Sequence, residues 1–203
     1  MNRRAMSVRA RFLASSLSLA FVLAGCDSHP PLTDAPLAGA SIGGPFELVD
    51  SHGKTVRWSD FDGKYRVVYF GYTYCPDICP LDVQRMMQGY AQFKQAEPRL
   101  AAQVRPIFIS VDPARDTPAV VGEFAAAFSK DLLGLTGSPE QVAAAAKAFG
   151  VYYRKGAPGA GGGYMMDHTR LTLLMGRKGE PIATLPVDQR PEAVAAELEK
   201  WVS

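Results

Sequence analysis

Cysteine and histidine are scarce, three of each in 203 residues. That excludes a disulfide-rich scaffold and leaves material for one small metal or redox site. An excess of one charge is missing too. Lys plus Arg number 22 and Asp plus Glu 20, and four of the basic residues (Arg3, Arg4, Arg9 and Arg11) fall in the first 25 positions, which hold no acid. The remainder carries 18 basic and 20 acidic residues. A nucleic-acid binder needs a basic face, so nucleic acid is not an expected partner. The apolar run from Phe12 to Leu23 is too short for a convincing membrane span. Internal repeats are absent, and the glycine-rich stretch Gly156 to Gly163 lacks the Lys-Ser/Thr ending of a phosphate-binding loop. What is present, 47% apolar and 21% charged residues, is globular in character and long enough for one domain with a useful core.

Residues 1–25 read as a secretory signal, with arginines first and the apolar run second. The run ends in Leu23-Ala24-Gly25-Cys26, which resembles the bacterial lipobox and makes Cys26 the expected lipidation site. The alternative is a general signal peptide cut nearby, with Cys26 a free thiol. Arg3-Arg4 is a weak twin-arginine cue. Several acyl chains hold a protein stably on a bilayer, at about 0.8 kcal/mol per buried methylene. Asp27 resembles the residue that retains lipoproteins at the inner membrane in some bacteria. The expected location is therefore the periplasmic or outer face of the bacterial inner (cytoplasmic) membrane. Residues 26–43, rich in Pro, Ala, Gly and Ser, read as a flexible tether, and 44–203 as the folded domain. His29 reads as a solvated residue of the tether.

Two short stretches, Phe46 to Val49 and Thr55 to Trp58, flank Asp50-Ser51-His52-Gly53 and predict a hairpin whose turn holds His52 facing solvent. Tyr65 to Gly71 and Val104 to Val111 read as buried strands. A helix is expected to start within Cys75–Leu81 and to end near Glu97, before Pro98. Thr117-Pro118 opens another, and Ser138-Pro139-Glu140-Gln141 a third with capping-box spacing. Leu132 to Leu135 and Val151 to Arg154 predict brief strands, Gly156 to Gly163 a flexible loop. Thr169 to Met175 and Pro181 to Leu185 predict a hairpin, and Pro191 to Val202 a closing amphipathic helix. This order suits an α/β domain with a thioredoxin-like fold, an N-terminal β-hairpin and a central sheet flanked by helices.

The chemistry gathers at Cys75-Pro76-Asp77-Ile78-Cys79, between a buried strand and a helix. Four positions apart in a helical turn, two sulfurs project to one side. N–H groups at a helix start favour thiolates. A structural disulfide here would close so short a loop that it removes little chain entropy. A thioredoxin-type reductase would show two intervening residues, not three. A peroxiredoxin would carry Thr or Ser three before its nucleophile, where Tyr72 stands and Thr73 is one step too close. A structural zinc site wants four ligands. The purple copper centre of respiratory oxidases needs a His where Val83 stands. Copper in its +1 state is soft, favours thiolates and accepts low coordination numbers. His168, in Asp167-His168-Thr169, is the candidate third donor, although a lone His before a strand is more often structural. Met165 and Met166 offer thioethers beside it, with hydrophobic filling as the alternative.

Tyr72-Thr73-Tyr74-Cys75-Pro76-Asp77-Ile78-Cys79-Pro80, then Val111-Asp112-Pro113-Ala114-Arg115-Asp116-Thr117-Pro118, then Asp167-His168-Thr169 resembles the Sco/SenC family. The similarity runs from about Ile42 to Val202. It implies a membrane-anchored thioredoxin-fold protein that assists copper-centre assembly in subunit II of cytochrome c oxidase, with Cys75, Cys79 and His168 as copper ligands. A copper metallochaperone is one reading. A thiol–disulfide reductase that keeps the oxidase's copper-site cysteines reduced, with Cys75 and Cys79 as its catalytic pair, is a second. A redox or copper sensor is a third. A thiol reductant and a copper-donating chaperone are further expected partners. Asp77 would add charge beside the thiols. Asp112, Arg115 and Asp116 would form either an Arg–carboxylate brace or a docking rim. Asp167 would hydrogen-bond a ligand or fix the His168 loop, and Tyr164 would cover the site or merely pack.

Overall fold

The domain is entered through the predicted hairpin, β1 (Glu47–Val49) paired antiparallel with β2 (Thr55–Arg57). Asp50 shapes its turn by accepting the N–H groups of His52 and Lys54. In the computed structural model, which describes residues 29–158 and 163–203, β3 (Tyr65–Gly71) is buried along its length. It pairs in parallel with β4 (Val104–Ser110). β5 (Leu133–Leu135) extends the sheet in parallel beyond β4. On the other side of β3 come β8 (Thr172–Met175) and β9 (Pro181–Thr184), both antiparallel to their neighbours, for the order β5-β4-β3-β8-β9.

Alternate residues of β3 explain why both faces are covered. Tyr69 stacks on Phe108 and donates its hydroxyl to Asp82 of α1 (Ile78–Ala96). Phe70, on the opposite face, packs against Phe149, which caps α4 (Pro139–Ala148). Between these helices in sequence lie the four-residue α2 (Pro98–Ala101) and α3 (Pro118–Phe128). Pro98 was expected only to end α1, but as a first-turn residue it also opens α2. Thr117 and Ser138 cap α3 and α4 as predicted, each accepting an N–H three residues on. The final helix, α5 (Pro191–Trp201), lies on α1. A Cβ at Gly89 would stand 2.6 Å from the Pro191 carbonyl oxygen and from Val194 Cβ, so glycine permits this approach. Together these elements form the expected thioredoxin-like architecture.

Three expectations change. The brief strand expected at Val151 to Arg154 runs on into the stretch read as a flexible loop, taking Gly156 to Pro158 into β6 (Tyr153–Pro158), which pairs with β7 (Tyr164–His168) as a second hairpin with a register shift between Lys155 and Pro158. Residues 159–162 lie outside the described residues. The strand expected from Thr169 begins at Thr172, and His168 closes the preceding one. Finally, part of the span read as a tether is docked. Ala35 is buried, the Leu37 N–H donates to the Ile182 carbonyl on edge strand β9 (3.0 Å), and the Gly43 N–H to Ala148 (2.8 Å). An edge strand's open carbonyls attract such a segment even where its sequence shows no apolar period. The expected signal segment, with Cys26 and Asp27, lies outside the described residues.

Candidate metal centre

The end of β3 sets the position of the site, since open α/β sheets bind ligands beyond the carboxyl ends of their strands. A Cβ at Gly71 would stand 2.7 Å from the Tyr69 ring and 3.4 Å from Cys79 Sγ. Glycine there lets the start of α1 fold over the strand end. Cys79 is fully buried, at the head of an apolar stripe that continues through Val83, Met86, Tyr90 and Phe93. Cys75 precedes the helix and is half-buried. The two sulfurs are therefore related across the helix start rather than along one helical turn. Cys75 Sγ accepts the N–H of Cys79 at 3.4 Å, and both thiols are free.

His168 ends β7 and turns its ring onto the same spot. Its Nε2 lies 3.4 Å from Cys79 Sγ, across 89 positions of sequence. Its Nδ1 is 3.0 Å from the Thr169 carbonyl oxygen. A carbonyl only accepts, so Nδ1 carries the proton and the bare Nε2 lone pair faces the sulfur. Burial lowers the imidazole pKa against the raising effects of that carbonyl and of Asp82, which keeps the ring neutral. Tyr72 presents its ring to the His168 edge, with centroids 5.9 Å apart and planes perpendicular. Burial and the nearby thiols push its phenol up to about 12 against the Met166 N–H, so it stays a donor.

The thiols are electrostatically unlike. Burial alone raises Cys75, but donors outweigh it: the N–H groups of Cys79, Asp77 and Ile78 and the Cys79 thiol bring its pKa below the ordinary value. Burial dominates at Cys79 and pushes it up to about 12. Among the described residues, no three His, Cys, Asp or Glu side chains are closed around one point. The site is two linked contacts, His168 to Cys79 and the Cys79 N–H to Cys75, so gathering all three donors requires Cys75 to turn inward.

The surrounding acids are engaged elsewhere. Asp112 pairs with Arg115 Nε and accepts the Tyr164 hydroxyl at 2.9 Å. Arg115 Nη1 donates to the Tyr164 carbonyl at 2.9 Å, and its guanidinium lies 3.7 Å over the Tyr164 ring. Asp116 is buried and accepts the Thr73 N–H, the Thr73 hydroxyl and the Ser110 hydroxyl. Burial raises its carboxyl pKa against those donors. This segment braces the β4–α3 loop against the β6–β7 hairpin on one side and the cysteine loop on the other. Asp167 pairs with Arg154 across the hairpin at 2.9 Å, both side chains exposed. It neighbours His168 in a strand, so it faces the opposite way, and the His168 ring is held by Thr169 instead. Asp77 is exposed at the start of α1 and makes no side-chain cap. Met166 is buried, whereas Met165 is half-exposed and its sulfur accepts the Tyr72 hydroxyl at 3.7 Å. His29 and His52 lie away from the site, His29 beside the Lys200 carbonyl and His52 in the β1–β2 turn.

Sequence reasoning missed Asp82 and Arg170. Asp82 is fully buried on the apolar stripe of α1 and pairs with Arg170, two residues beyond His168. An acid three residues after Cys79 within an apolar stripe was the available signal, because a buried carboxylate demands a partner. The resulting donor set at the site, two thiols and a neutral imidazole, fits a soft monovalent cation far better than a hard one.

The SCO1/SenC family model matches residues 34–203. In sequence the chain is similar to protein SenC of Rhodobacter capsulatus, 43% identical over 158 residues that cover 78% of this chain and 69% of that protein. It is similar also to the mitochondrial SCO1 homolog 1 of Arabidopsis thaliana, 41% identical over 143 residues, covering 70% of this chain and 42% of that protein. The chain thus spans less than half of the plant relative. In structure it is similar to copper-bound ScoI of Bradyrhizobium japonicum, with a TM-score of 0.71 and 39% identity over 79% of this chain and 99% of that one.

Proposed function

The chain belongs to the SCO1/SenC family, and on that premise we propose that it is a copper metallochaperone for cytochrome c oxidase assembly. Copper is its cargo, bound as Cu(I) by Cys75, Cys79 and His168 and passed to the copper site of oxidase subunit II. The observation that carries this reading is the bare Nε2 of His168 lying 3.4 Å from Cys79 Sγ. Two thiolates and one imidazole lone pair suit a soft cation that accepts low coordination numbers. Binding displaces the thiol protons, and transfer proceeds by ligand exchange, each new bond to the acceptor forming as one to this protein breaks. An exported compartment is oxidising, so the dithiol needs a reducing partner before it loads, and a copper-donating chaperone is the expected source of the metal. Cys26 would carry the lipid that holds the domain at the membrane; among the described residues no helix is long and apolar enough to cross it.

Copper titration of the reduced protein and transfer to a subunit II fragment, run with wild type and His168→Ala in parallel, test this reading. One copper per chain and delivery are expected from wild type, with binding strongly weakened in His168→Ala while dithiol exchange persists. Undiminished binding in that variant or in Cys75→Ser would overturn the site. The unequal thiols favour one second reading, a thiol–disulfide reductase. A half-buried Cys75 with a depressed pKa would attack and the buried Cys79 would resolve. Oxidase assembly in cells that carry only His168→Ala would favour it over metal delivery.

A further inference from the structure

Met165 has no packing reason to be where it is. Its side chain is 48% exposed, although the next residue, Met166, is buried. The sulfur is nonetheless held: the Tyr72 hydroxyl donates to it at 3.7 Å. Tyr72 is itself a residue of the metal centre, its ring perpendicular to that of His168 with centroids 5.9 Å apart. Alternation along β7 starts the Met165 side chain on the outer face, with Asp167, yet its sulfur reaches the hydroxyl of a residue whose ring touches His168. Met165 also lines an open cavity of about 490 Å³ with Tyr74, Pro76, Arg115 and Tyr164, directly outside Cys75. A solvent-facing thioether at the mouth of a thiolate site, aimed by a phenol, is placed to touch what enters.

We propose that Met165 is a further copper donor of this protein, its thioether binding Cu(I) at the mouth of the Cys75, Cys79 and His168 site. The proposal rests on the three-donor reading above and adds a fourth ligand to it. The sulfur gives one lone pair to the metal and releases the Tyr72 hydrogen bond; no proton is lost and no electron moves. Thioether sulfur favours Cu(I) over harder ions, so Met165 sharpens the selectivity that the thiolates begin. Because it is the most exposed donor of the set, it is also the one an incoming acceptor displaces first.

Selenium makes the ligand visible. The protein is prepared with selenomethionine, reduced, loaded with Cu(I) and measured by X-ray absorption at the copper and selenium edges. A direct copper–selenium distance is expected in the wild type and in Met166→Leu, and its loss is expected in Met165→Leu, which still holds one copper per chain. A loaded wild type with no copper–selenium distance overturns the role of Met165 and leaves the three-donor site standing. So does a distance that survives Met165→Leu. Failure of every form to bind copper brings down the three-donor reading and this proposal with it.

Discussion

At the scale of single residues, the two thiols should behave as opposites. Cys75 is depressed by the N–H donors around its sulfur, and Cys79 is pushed up to about 12 by burial. Iodoacetamide at neutral pH should therefore modify Cys75 well before Cys79, read by mass spectrometry of the labelled peptides; equal rates would refute the asymmetry. The same difference has a stability consequence. The folded value of Cys79 lies above that of an unfolded cysteine, about 8.5, so its contribution is complete below that value and is lost as pH rises toward about 12. Cys75 has the opposite sign, contributing above the unfolded value and losing this as pH falls through its depressed one. Alkaline titration of chemical stability, wild type against Cys79→Ala, isolates the Cys79 part as a shallower decline in the variant. Gly71 admits no addition: Gly71→Ala would drive a methyl to 2.7 Å from the Tyr69 ring and 3.1 Å from the Phe108 ring. Overpacking of this kind costs about 1–3 kcal/mol, measurable by urea unfolding.

Among the elements, the β6–β7 hairpin matters most, because it carries His168. Arg115 holds it through the Tyr164 carbonyl and ring and through Asp112. Arg115→Leu would leave the buried Asp112 carboxylate with the Tyr164 hydroxyl alone. The expected loss is about 2–3 kcal/mol, below the range for a wholly buried pair because Arg115 is partly exposed. Amide exchange should quicken at Tyr164–His168 and stay unchanged in β3 and β4. Equal acceleration everywhere would mean that the brace supports the whole fold. This hairpin was also the least legible element. Its first arm is announced in part, as a brief strand at Val151 to Arg154, but the second, Tyr164-Met165-Met166-Asp167-His168, holds no β-branched residue and a single Tyr or Phe, too weak a strand signal to stand out after the glycine-rich stretch. The cysteine loop was legible, because Pro76 and Pro80 flank the thiols and a continuous apolar strand precedes them. Asp82 with Arg170 and the buried Arg66, which stacks 4.6 Å from Trp58 and donates to the Gly176 carbonyl, were not legible. Asp82 and Arg170 are 88 positions apart, and no local period announces so long-range a pair; Arg66 has Asp62 and Trp58 close by, but in a continuous buried strand nothing marks their contact.

For the molecule as a whole, the segment before β1 belongs to the fold. Ala35, Leu37 and Gly43 dock near β9, α4 and Met175, at the end of β3 remote from the cysteines. A chain beginning at residue 44 should melt a few degrees below one beginning at residue 29, since it forfeits two backbone hydrogen bonds and a buried alanine. Its copper stoichiometry should be unaffected. Identical melting of the two would show that the docked contacts are neutral. The α/β class was readable from the succession of strands and helices, because a buried parallel pair such as β3 and β4 needs a crossover helix between its members, whereas the order of strands across the sheet is set by long-range pairing.

Within the described residues, β6 and β7 form a ladder of their own and share no pairing with the five-stranded sheet. The imidazole therefore sits on a ribbon of its own, held to the body by Arg115 and by the buried Met166 side chain. Such a part invites transplantation: arms from relatives could be grafted between Tyr152 and Thr169, retuning grip on the cargo while the sheet beneath keeps its register.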